Sequence, residues 1–132
     1  MPTISLLATL VATLLGFALG ALWYGPLFGK LWMKAHGFTR EQLEKDFNPA
    51  KTYGATFVLG LIAAYVFGLF LGPNPGIAFA TGAGFAAGLC WVATSIATND
   101  LFERQNGALT LINGGYHTVR FTLIGLAFGV LG

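Results

Sequence analysis

Charge is what this 132-residue chain has least of. Asp, Glu, Lys and Arg make up 9% of it, against about a quarter of an average soluble domain. Cys90 is the single cysteine, so no disulfide forms within the chain. It lies in an apolar stretch and reads as a small buried filler, without a redox or catalytic role. His36 and His117 are the only histidines and Cys90 is remote from both, so no metal-ligand set is present. There is no Ser-His-Asp spacing, no Walker loop and no glycine fingerprint after a strand. Gly82 and Gly84 sit inside an apolar run and read as packing residues. These absences remove the common hydrolase, nucleotide-binding and metal-dependent classes. No catalytic residue and no cofactor is assigned, and turnover is not the expectation.

The formal charge of +2 and pI near 8.9 would suit a nucleic-acid binder. That reading fails on placement. Lys30, Lys34, Arg40, Lys45 and Lys51 share one segment with Glu41, Glu44 and Asp46. No nucleic-acid partner is expected.

What the chain has instead is apolar length. It is 55% hydrophobic with a mean hydropathy of +0.71. Four apolar stretches cover roughly residues 3–24, 53–71, 77–98 and 108–131. About 20 apolar residues at about 1.5 Å each cross a hydrocarbon core roughly 30 Å thick. The expected fold is therefore an all-α membrane protein, a single domain over residues 1–132. It has four transmembrane helices in a compact bundle and a short amphipathic cytoplasmic helix between helices 1 and 2. Met1-Pro2-Thr3 lacks the basic start of a signal peptide and the first stretch is too long for one, so it reads as a retained span.

Basic loops stay cytoplasmic. The segment at about 25–52 carries five basic residues, Gly72–Gly76 carries no charge, and Asn99–Gly107 carries Arg104 beside Asp100 and Glu103. Loops one and three are thus expected in the cytoplasm and both termini outside the cell (inner) membrane. Within the first loop, Thr39 and Gln42 have capping-box spacing, and Leu43 and Phe47 fall on one edge of the helix they would start. Leu27, Phe28, Leu31, Trp32 and Met33 alternate with Lys30 and Lys34, a composition suited to headgroup depth.

Glycine is abundant, at 19 residues, and regularly placed. Gly16 and Gly20, Gly60 to Gly72 with Ala64 and Gly68, Ala80 with Gly84 and Gly88, and Gly125 with Gly129 repeat every four residues. Small residues at that spacing let helix backbones approach closely in lipid. The expectation is internal packing with some faces left for association, as a homo-oligomer or as a subunit of a larger membrane complex.

One polar constellation stands out. Asn113, Tyr116, His117 and Arg120 fall at i, i+3, i+4 and i+7, so they share a stripe near the middle of the fourth stretch. A cation there costs about 2.5–3.5 kcal/mol and must face the bundle interior with a partner. Asp100 and Glu103 are the acids closest to the membrane. Thr94, Ser95, Thr98 and Asn99 form a polar flank leading to them. We expect this flank to face the stripe, with Arg120 turned toward Asp100 or Glu103. Interhelical hydrogen bonding is the expected role of His117.

Three motifs carry a resemblance: Trp23-Tyr24-Gly25-Pro26-Leu27-Phe28-Gly29-Lys30-x-Trp32, Asn99-x-Leu101-Phe102-Glu103-Arg104 and Leu111-Ile112-Asn113-x-Gly115-Tyr116-His117. In order and spacing the chain resembles the small prokaryotic membrane family known as domain of unknown function 1761. The resemblance implies four-helix architecture and no established activity. It points to Trp23, Tyr24, Gly25, Pro26, Phe28, Asn99, Leu101, Phe102, Glu103, Asn113, Gly115 and Tyr116, and Arg120 lies outside it. With Lys30, Trp32 and Phe102, the first motif reads as an interfacial collar, either a roof of Trp23, Tyr24 and Phe102 over a polar pocket or a latch tying helix ends together.

Three functions stay open. The first is an accessory or assembly subunit associating through glycine-rich faces. The second is a small homo-oligomeric transporter or channel using the polar stripe of helices 3 and 4. The third is a lipid- or quinone-binding membrane enzyme. A cavity crossing the whole bundle would favour the second, and a pocket open at one end only the third.

Overall fold

The chain leaves the helix wherever a cap or a proline forces it to. The computed structural model describes residues 5–45 and 47–132, so the expected start of the first span at Thr3, and the residues argued against a signal peptide, lie outside the described residues. Among the described residues every regular element is helical. Helix α1 (Leu6–Leu22) begins at Ser5, whose hydroxyl accepts from the Ala8 N–H at 3.0 Å, and runs on into a π-helical turn, Trp23–Leu27. Helix α2 (Gly29–His36) and helix α3 (Arg40–Glu44) follow. Helix α4 (Pro49–Leu71) starts with proline in its first turn and Asn48 as its cap. Helix α5 (Ile77–Ala87), a π-helical turn (Gly88–Ala93) and helix α6 (Thr94–Glu103) form one 27-residue rod. Helix α7 (Gly107–Leu131) closes the chain.

Among the described residues three helices are long and apolar enough to cross a membrane: Leu6–Leu27, Pro49–Leu71 and Ile77–Glu103. Helix α7 has 25 residues but is made less apolar by the stripe that includes His117 and Arg120. It takes the most interior position. Helix α1 packs along one side of it, α5 with the following π turn along another, and α4 packs mainly on α1. The outward faces are apolar: Leu59 is 66% exposed, Phe70 63% and Leu111 78%. A contiguous surface of that kind is costly in water.

The segment between α1 and α4 differs from expectation. The capping box forms, with the Gln42 N–H donating to Thr39 Oγ1 at 3.2 Å and the Thr39 N–H to Gln42 Oε1 at 2.8 Å. The helix nevertheless stops at Glu44, and Lys45 is extended. A residue before proline is pushed out of the α region, and Asn48, before Pro49, sits at φ −108° and ψ 99°. Leu43 and Phe47 therefore do not share a helix edge. Phe47 packs edge-on against Tyr53, with ring centroids 5.8 Å apart.

The glycine faces are filled from within the chain. A Cβ on Gly84 would overlap the Phe121 carbonyl oxygen, and one on Gly125 that of Ala80. One on Gly88 would lie 2.8 Å from the His117 carbonyl oxygen, and one on Gly129 would lie 2.7 Å from the Ile77 Cα. Gly16 and Gly20 receive Arg120 and Tyr116, and Gly60 receives Thr13. These seven glycines serve packing within the chain. The close approach buries Ala8, Ala12, Ala64, Phe67, Leu71, Ala80, Ile124 and Phe128 in one apolar cluster. The cluster sits toward the uncharged end, where Ser5, Gly72–Gly76 and Leu131 meet.

A paired substitution tests the backbone contact. Gly84→Ala is expected to lower detergent-solubilised stability by about 1–3 kcal/mol, the usual range for overpacking. Gly82, two residues away, has nothing within 4 Å of its would-be Cβ. Gly82→Ala is expected to be neutral or stabilising by about 0.5 kcal/mol. Equal thermal midpoints for the two variants would refute the α5–α7 contact.

Candidate functional site

The other end of the bundle is where the polar side chains gather. Gly25, at φ −101° and ψ −105°, is non-helical inside the π turn that ends α1, and Pro26 follows it. The Phe28 N–H reaches back five residues to the Trp23 carbonyl at 2.8 Å, widening the turn. Gly29 lies so close to Tyr24 that a Cβ would sit 2.5 Å from its carbonyl oxygen. This compressed turn directs two consecutive aromatics at α7. Trp23 Nε1–H donates to the Ile112 carbonyl at 2.8 Å, and the Tyr24 hydroxyl to Asn113 Oδ1 at 2.6 Å.

One helical turn further along α7, the Tyr116 ring lies 5.4 Å from that of Tyr24, and its hydroxyl donates to the Gly16 carbonyl at 2.9 Å. The His117 ring follows at 4.8 Å from Tyr116. Arg120 then places a guanidinium nitrogen 3.3 Å from His117 Nδ1 and its Cζ 5.2 Å from the Phe121 ring centroid. The expected stripe Asn113, Tyr116, His117 and Arg120 is thus continuous, and it faces α1.

It does not face α6, and the expected pairing with the acids is not formed. The Asp100 carboxylate accepts from the Thr110 hydroxyl at 2.6 Å, across the turn between α6 and α7. Ten residues, about 15 Å of helix, separate Thr110 from Arg120, beyond the reach of either side chain. Glu103 is exposed, and Phe102, 86% exposed, roofs nothing. The expected polar flank on α6 also turns outward. The hydroxyls of Thr94, Ser95 and Thr98 donate to carbonyls of their own helix, at Cys90, Trp91 and Thr94, and Asn99 is exposed. Serine and threonine hydroxyls can be satisfied within their own helix this way.

Two cavities flank the stripe. A groove of about 1040 Å³ opens at the basic end, between the π turn, α2, α3 and the start of α4. Tyr24 and Asn113 form part of its lining, as do Trp32 and Tyr53, with Lys30 and Arg40 as cations. Gly25 and Pro26 line it too, whereas Phe28 packs on Trp23 at 4.8 Å. His36 is held against Trp32 at 4.5 Å and stacked on Phe38 at 4.9 Å. A smaller cavity of about 160 Å³ lies deeper, between α1, α4 and α7, against His117 and Arg120. Sequence reasoning missed Arg40, Tyr53, Thr13 and Thr56 as lining residues. No spacing rule ties them to α7, since they reach it on three other elements, Thr13 on α1, Arg40 on α3, and Tyr53 and Thr56 on α4. Among the described residues no cluster of His, Cys, Asp or Glu is arranged to hold a metal ion.

Residues 7–129 match the family described as "Protein of unknown function (DUF1761)". No curated protein and no solved structure matches the chain.

The Tyr24–Asn113 bond generates a direct test. In a double-mutant cycle with Tyr24→Phe and Asn113→Ala, a coupling of about 0.6 kcal/mol is expected, with about 1.7 kcal/mol as the ceiling seen for such bonds in membranes. Additive losses in thermal stability would show that the hydroxyl does not serve Asn113.

Proposed function

The chain belongs to the protein family of unknown function DUF1761, and for it we propose a binding role: a four-span membrane protein that holds an anionic amphiphile in the groove at its basic end. One observation carries this reading. The groove opens at one end of the bundle only, and the buried apolar cluster from Ala8 to Phe128 fills the other end. A recess walled wholly by residues of the basic end, with none of the apolar cluster in its lining, supports binding over conduction.

The groove chemistry supports the ligand class. Lys30 and Arg40 supply positive charge at the rim, and among the described lining residues Glu44 is the one acid. Trp32, Met33, Leu43 and Phe47 supply an apolar wall. Asn113 spends its oxygen on Tyr24 and keeps an amide NH₂ with two donors. A phosphate or carboxylate head at the cations with acyl chains along that wall matches both. In this reading α7 is the fourth span, its charge shielded by α1, α4 and α5. The basic end faces the cytoplasm of the inner membrane and both termini face outward.

A second reading, an accessory subunit or homo-oligomer, draws support from the outward face of α6, where Trp91 is 64% and Leu101 79% exposed.

Native mass spectrometry of protein taken from nanodiscs tests the binding reading. Retention of anionic over zwitterionic phospholipid is expected, and Lys30→Ala with Arg40→Ala should weaken it about tenfold or more, at ~1 kcal/mol per basic side chain. Equal retention of both lipids, or no effect of the double substitution, would overturn it. A dimer surviving without lipid would favour the second reading.

A further inference from the structure

Midway along α7, Arg120 and His117 form one wall of the smaller cavity, and Thr13 and Gly16 from α1 with Thr56 and Gly60 from α4 form the others. Among the described residues lining it there is no carboxylate. A guanidinium carries five N–H donors and no acceptor. One of those donors is directed at His117 Nδ1, 3.3 Å away. Since arginine only donates, Nδ1 must accept, and the ring proton then resides on Nε2 as a second donor.

The hydroxyl protons on the surrounding walls are already committed. Thr13 donates to the Thr9 carbonyl at 2.8 Å, Thr56 to the Thr52 carbonyl at 2.7 Å, and Tyr116 to the Gly16 carbonyl at 2.9 Å. The donors left to the cavity are those of Arg120 and His117, and one of the two is a permanent cation. A cation held between apolar helices without a counter-charge is costly, and an anion beside it relieves that cost.

We infer that this cavity is a binding site for one small anion of the halide or short-carboxylate class, held by the Arg120 guanidinium and the His117 Nε2–H. The size agrees, since about 160 Å³ is room for roughly five waters at ~30 Å³ each. The remaining wall, with Ala12, Phe17, Leu59 and Ile124, is apolar. It selects against polyhydroxylated anions, whose hydroxyls would lose their water there without replacement. The site shares no lining residue with the groove at the basic end, so it stands independently of the amphiphile reading.

The experiment is thermal unfolding of the full chain in detergent at fixed ionic strength, replacing sodium gluconate stepwise with sodium chloride, bromide or acetate. The midpoint of the wild type is expected to rise by a few degrees and saturate. Arg120→Lys should keep part of the rise, and Arg120→Gln should abolish it. Lys30→Ala with Arg40→Ala should leave it intact, which separates this site from the groove. A wild-type midpoint indifferent to the anion, or an undiminished rise in Arg120→Gln, would overturn the site. Should Arg120→Gln fail to fold, bromide-soaked wild-type crystals decide: an anomalous peak within hydrogen-bonding distance of Arg120 supports the site, and its absence there refutes it.

Discussion

The position of Arg120 governs the architecture. A guanidinium midway along a 25-residue helix cannot be turned outward into an apolar surround without a large cost, so α7 has to be the inner helix. Everything next to it is built to let that happen. Gly16 leaves space for the arginine side chain to lie against α1, and Gly20 does the same for Tyr116. On the opposite face, Gly84, Gly88, Gly125 and Gly129 bring α5 and its π turn against α7 nearly backbone to backbone. In a lipid surround, where little hydrophobic force acts between helices, such close van der Waals contact would be what holds the bundle together. The glycines and the arginine are thus two parts of one solution.

That solution divides the molecule along its length. Toward the uncharged end, alanines, Ile124 and Phe128 form one buried apolar cluster. Toward the basic end, side chains become aromatic and polar and their hydrogen bonds cross between helices, from Trp23 and Tyr24 to Ile112 and Asn113. The π turn of α1 links the two regimes. It ends a helix, aims two consecutive aromatics at one neighbour, and forces the chain to restart as α2 alongside the groove. The same five residues therefore stop the span, clamp α7 and shape an opening. Helix termination and one wall of the groove come from the same piece of backbone.

Much of this was legible beforehand, and the limits are instructive. Apolar length located the helices to within a few residues at most ends, because burial of a 20-residue apolar run admits no other backbone solution in lipid. The Thr39–Gln42 capping box was readable because both partners lie within one turn. Its continuation to Phe47 was not, since the Asn48–Pro49 step acts from outside the pattern. The i, i+3, i+4, i+7 stripe on α7 is real. Its direction was misjudged: Arg120 meets α1 and His117, while Asp100 is held by Thr110.

Sequence alone therefore settled the local matters: which stretches are helical, where they cap and break, which residues share a face of α7, and which family the chain resembles. The structural ones depend on residues within a turn or two of one another, and the resemblance on three short motifs read in order. The tertiary structure decided which helix each face meets. Helix faces are periodic, so Gly16, Gly60 and Gly84 look alike in a string of letters. Only the lateral packing order, set by which pairs of faces fit at closest approach, assigns one to Arg120, one to Thr13 and one to the Phe121 backbone. Both cavities follow from that assignment, because their walls come from helices far apart in the chain.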